Sequence, residues 1–282
     1  EGQNHNLSAD TDSFTDSFGE AFSQGWADVH FGASLITGDD DTNMMSLEQK
    51  FQRMKDGLDI PPDKWTPEAE TFSEGLGQMF TGKHRFFDTD YWGNFAGGTA
   101  PSIMTMLTGA GIGAGGGALV GGIGAVPGAI GGGVVGSGSG VALQTLGSTM
   151  TEAYKAYREQ GKSVKEAFQM ARSVANVDAM KSGAIASIAT LIAPARVVAG
   201  SAGSMVPRLT YAAPAGGTTA KTLGAQFLQQ SLVIQPSLEV SDVVSSNSIA
   251  ANSFDPNRTL TQGSIDAFVG SVFFDLPTTA GG

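Results

Sequence analysis

From Tyr91 to Thr151 the chain carries no Asp, Glu, Lys or Arg, a run of 61 residues. Within that run, residues 109–140 read GAGIGAGGGALVGGIGAVPGAIGGGVVGSGSG, and half of them are glycine. Each glycine weakens an isolated helix in water by roughly 1 kcal/mol relative to alanine. A helix made from such a stretch therefore needs very close packing against other backbone, or a medium in which an unbonded amide is intolerable.

The glycines fall into register. Gly109, Gly113, Gly117 and Gly121 are four apart; after a step of three, Gly124, Gly128, Gly132, Gly136 and Gly140 are four apart again. This spacing keeps them on one slowly drifting helix face and predicts a flat groove that a second helix can enter closely. Pro127 marks the expected bend between two arms of about 20 residues, each long enough to cross a bilayer as a helix. Two readings follow: a membrane-active helical hairpin, or a flexible or tightly packed structural element that never meets lipid.

The remainder reads as helix, and the expected class is all-α: an extended array of helices and helical hairpins with no significant sheet. Phe14, Phe18, Phe22, Trp26 and Val29 recur at helical spacing over 12–36, as in an amphipathic helix facing a core. Residues 38–43 (GDDDTN) read as a loop, followed by a short helix from Ser46 to Leu58. Thr66-Pro67-Glu68 opens another helix, to about Thr81. A helix over 141–160 ends at Gly161, and Ser163 with Glu166 forms a capping box for the next, from Val164 to about Ile192, closed by Pro194. Residues 199–219 read as a loop. Helices are expected over 221–234, 237–252 and, capped by Thr261, 262–274. The segments group as an acidic helical lead-in (1–90), the uncharged helical hairpin (91–151), a helix pair (152–200) and a small-residue loop with C-terminal helices (201–282). The first residue is Glu, and the chain is read as a piece of a longer or processed one.

Charge is unevenly placed. Residues 1–100 hold 18 acidic and 6 basic side chains, a balance of −12, whereas 101–282 hold 9 and 10. The acidic part repels bare nucleic acid, and no basic patch marks a DNA-binding face. The absence of cysteine excludes disulfides, thiolate metal sites and thiol nucleophiles. His5, His30 and His84 are far apart and lack metal-ligand spacing. Asp39-Asp40-Asp41 reads as a solvated acidic loop in preference to a cation site. The glycine run contains no GKS or GKT, so it is not a phosphate loop. Glu20, Glu74 and Glu152 are nominal acids for glycan cleavage, with no second group beside them. No catalytic residue, metal or cofactor is assigned.

Several segments resemble a known family. They are NFAGGTAPSIM (94–104), the uncharged hairpin, MTEAYKAYREQGKSVKEAFQMARSVANVDA (150–179) and SSNSIAANSFDPNRTLTQGSIDAFVGSVFFDLP (245–277). Their order and character are similar to very large internal virion proteins of tailed bacteriophages, especially the ejection proteins of short-tailed phages. The resemblance covers roughly residues 90–280 and rests on no catalytic motif; residues 228–252 have more Val and Ser than the family's usual Glu-rich pattern. It implies a helical, homo-oligomeric protein stored in the capsid interior beside other ejection, tail or portal proteins. It further implies passage to the host envelope (periplasm and inner membrane), where the protein forms part of a channel with DNA only as cargo. Three alternatives stand beside it: an internal capsid core protein that never contacts lipid, a pore-forming toxin, and a wall-degrading enzyme.

Overall fold

The computed structural model describes residues 7–56, 125–192, 195–198, 208–211 and 235–268, together with helical residues at 74, 78, 92–93, 96–98, 100–101, 104–105 and 108. The helices expected over 221–234 and most of 66–81, and the glycines from Gly109 to Gly124, lie outside these residues, as do His5 and His84.

The described elements are α1 (Leu7–Thr37), α2 (Asp40–Lys55), α3 (Ala125–Glu159), α4 (Val164–Ile192), β1 (Ala195–Val198), β2 (Arg208–Tyr211) and α5 (Gln235–Ser253). Among the described residues the fold is all-α apart from one ribbon. In it β1 pairs antiparallel with β2, with Ala195 opposite Tyr211 and Val198 opposite Arg208. Residues 208–211, expected in a loop, are thus the second strand of that ribbon.

Helix ends follow local chemistry. Asp39 to Asp41 do not form a loop: Asp39 is the N-cap of α2, accepting from the Thr42 amide at 3.0 Å, and Asp40 and Asp41 occupy the first turn. Carboxylates there complement the positive end of the helix dipole. α3 ends in a Schellman turn: the Lys162 amide donates to the Tyr157 carbonyl, and Gly161, at φ 83°, donates to Arg158. Ser163 and Glu166 then cap α4 reciprocally, with the Ser163 amide on Glu166 Oε2 at 3.1 Å and the Glu166 amide on Ser163 Oγ at 3.3 Å. Near the C-terminus the chain turns through 260–263, with Gly263 at φ 73°, so the last described helical residues begin at Ser264 and not at Gln262.

The chain divides into two units. The first comprises Glu1–Pro101, Ala142–Met180 and Val244–Ile265. Its core is a cluster in which the alanine stripe Ala167, Ala171, Ala175 and Ala179 of α4 meets Met150, Ala153, Tyr154 and Tyr157 of α3. Small residues at every fourth position let the two helices lie close, while the tyrosines fill the flanks. Leu35, Leu47 and Phe254 extend the cluster. Polar bonds finish it: Asp178, itself buried, accepts from Thr149 Oγ1 and Ser246 Oγ, each at 2.8 Å.

The second unit comprises Ser102–Val141, Lys181–Val243 and Asp266–Gly282. In it the Asp242 carboxylate accepts from Lys181 Nζ at 3.0 Å and Ser182 Oγ at 2.9 Å. That pair fixes the start of α5 to α4.

The aromatic stripe of α1 differs from its expected core role. Phe14, Phe18, Phe22, Trp26 and His30 contact one another in succession, with ring centroids 5.7–6.4 Å apart, but none is fully buried. The buried positions of this helix are Ser17, Gly25, Asp28, Val29, Gly32 and Leu35. Neighbouring backbone comes too close for rings, so small residues face inward and the large ones are displaced to the flanks.

Candidate functional site

The distinctive local geometry of this protein is backbone-to-backbone contact at glycine. Within the first unit, α1 and α3 run antiparallel past each other, Gly147 lying on the main chain of Asp28 and Gly32 on that of Leu143. A Cβ at either glycine would overlap the opposing carbonyl. Gly93 and Gly97, four residues apart, apply the same device to α1, meeting the backbone at Phe14, Phe18 and Phe22. Gln144 reinforces this layer, donating from Nε2 to the Gly98 carbonyl at 2.9 Å. Contact of this kind is held by dispersion along the two main chains and requires no large side chain.

Within the second unit, Gly138 lies against Ser187 and the Gly183 carbonyl, and Gly140 against the side chain of Thr105. Gly140 belongs to the four-residue register expected from sequence. Gly136 is half-buried in α3; Gly128 and Gly132 are also in that helix. Pro127, expected at a bend, is the third residue of α3, in the first turn, where a missing amide costs no hydrogen bond.

The contact glycines at 25, 32, 93, 97 and 147 lie outside the dense run and do not stand out by composition. Their signal was available: Gly93-x-x-x-Gly97 has the spacing of a close-packing pair, and Gly25 with Gly32, like Gly140 with Gly147, is separated by two helical turns.

A polar clamp joins α2 to α3 in the first unit. Arg158 grips Glu48 with two bonds, Nε to Oε2 at 2.9 Å and Nη2 to Oε1 at 3.0 Å. Tyr154 donates its hydroxyl to Oε2 at 2.6 Å, and Gln52 donates to Oε1 at 2.7 Å. The bonds from Arg158, ahead of an opposing burial effect and the other donors, pull the Glu48 carboxyl down to about 2. Burial, then the bond to Glu48, pushes the Tyr154 phenol upward. Phe51 lies beneath the guanidinium, its ring centroid 5.4 Å from Arg158 Cζ. This bidentate, fully donated arrangement orients helices; it leaves the carboxylate no free lone pair for proton transfer.

The nominal acids are scattered. Glu20 is exposed on α1, Glu74 accepts from Gln78, and Glu152 pairs with Arg258. His30 is exposed and lies against Trp26. Among the described residues no group of three or more His, Asp or Glu is placed to hold a metal, and no helix is long and apolar enough to cross a membrane. No family model, curated protein or solved structure matches the chain.

Proposed function

We propose that this chain is an internal virion protein of a tailed bacteriophage, released with the genome, whose helices assemble in the host envelope into part of an oligomeric channel for DNA. The observation that carries the reading is main-chain contact at glycine, with Gly32 and Gly147 on opposing backbone and Gly138 against the Gly183 carbonyl. Packing by main-chain dispersion works in water and in lipid alike, because it does not depend on expelling water from apolar side chains. The same kind of face therefore serves a stored form and an envelope form. The order of segments from 94 to 277, similar to that of phage ejection proteins, supports the same assignment. The acidic first hundred residues keep the protein from adhering to a packed genome.

A second reading has its own support. Gly32 and Gly147 meet their partners within this chain. A capsid core protein that uses glycine only for protein packing has the same contacts.

Flotation with anionic liposomes, combined with dye release, separates the two. The channel reading expects wild-type chain to float and to release dye, and Gly113→Leu with Gly132→Leu to abolish release. A wild-type chain that remains at the bottom of the gradient supports the core protein.

A further inference from the structure

The outer face of α2 carries a groove of about 760 Å³, which borders the Glu48 clamp but whose apolar floor takes no part in it. Met44, Met45 and Val164 line it, and Met45 is 64% exposed. Asp41 bounds it near the start of α2 and Asp56 at the end. They stand fifteen residues apart along a helix, hence about 22 Å. Glu48 also faces the groove, but its charge is held by Arg158. Arg53 is the one cation among the described lining residues.

We propose that this groove docks a helical segment of a partner protein, apolar at its centre and carrying Lys or Arg at both ends. Methionine side chains are flexible and polarizable, and they conform to an irregular apolar guest. A helix laid in a groove presents its anchors at i, i+3, i+4 and i+7, and a central turn of such anchors meets the methionines. Carboxylates at both ends then meet the guest's cations, setting register and speeding encounter. Charge also selects the class of partner. A second copy of this chain brings a net charge of −11 to an acidic rim, and nucleic acid or an anionic bilayer brings phosphate. A basic polypeptide is the complement.

The test is fluorescence anisotropy of the full chain with labelled helical peptides of about 18 residues, long enough to span both carboxylates. One peptide has a Leu-rich central face with Lys at each end; a second replaces Lys with Glu; a third replaces Leu with Ser. The proposal expects saturable binding of the first and at least roughly tenfold weaker binding of the other two. Asp41→Lys with Asp56→Lys should reverse the preference toward the Glu-ended peptide. Met45→Ser should weaken the first peptide while leaving the melting curve unchanged. Equal binding of the Leu and Ser peptides would overturn the proposal, since charge alone would then suffice. So would a failure of the first peptide to bind, or a dimer in sedimentation that Met45→Ser dissociates.

Discussion

Gly147 of α3 rests directly on the main chain of Asp28 in α1, leaving no room for a methyl group between the helices. Gly147→Ala should therefore destabilise the first unit by about 1–3 kcal/mol, because the clash is with backbone that cannot rotate away. Gly19, on the same α1, has nothing within 4 Å of an added Cβ. Gly19→Ala should stabilise by about 0.5–1 kcal/mol through helix propensity alone. Urea unfolding of the two variants beside wild type should show midpoints shifted in opposite directions.

The carboxyl of Asp28 is raised above its ordinary value, chiefly by burial, against a bond from Gln24 and the charge of Lys50. An acid whose folded value exceeds its unfolded 3.8 favours the fold when protonated. Its benefit is complete below 3.8 and is lost as pH rises through the raised value. Asp28→Asn should raise the thermal midpoint at pH 7, and the gain should shrink to nothing below pH 3.8. A gain that persists at low pH would assign the effect to packing instead of charge.

Glu48 has the opposite sign. Its folded value, about 2, lies below the ordinary 4.5. The stability it contributes is present above 4.5 and disappears as pH falls toward 2. Glu48→Gln should lower the thermal midpoint at pH 7 and converge with wild type near pH 2. Arg158→Met should show the same convergence, since it removes the main cause of the shift.

Gly161 reverses the chain between α3 and α4 at a left-handed φ of 83°, with open space where a Cβ would lie. The cost of Gly161→Ala is then purely conformational, about 1 kcal/mol, and Gly161→Asn should cost less. Chemical denaturation resolves the two if Asn falls between Gly and Ala.

The sequence made the helix pair legible because its signals are local. Gly161 needs a left-handed φ, and Ser163 with Glu166 satisfies a helix start within four residues. The boundary of α2 was misplaced because three consecutive aspartates read as solvent-seeking, although a helix N-terminus welcomes them. The facing of α1 is only partly legible, for a different reason. Periodicity marks Phe14 to Val29 as one stripe, of which Val29 is buried and the rings are not; which residues turn inward depends on the distance to the neighbouring backbone, a tertiary quantity. The clamp on Glu48 joins residues 106 and 110 positions apart, and no spacing rule connects them.

The antiparallel contact of α1 and α3 has a consequence for how such a protein changes over generations. Where main chain meets main chain, the information that specifies the interface is concentrated at Gly32 and Gly147, while the residues around them touch through atoms common to every amino acid. Natural variants of this chain should therefore drift freely in the surrounding side chains and keep those two positions bare.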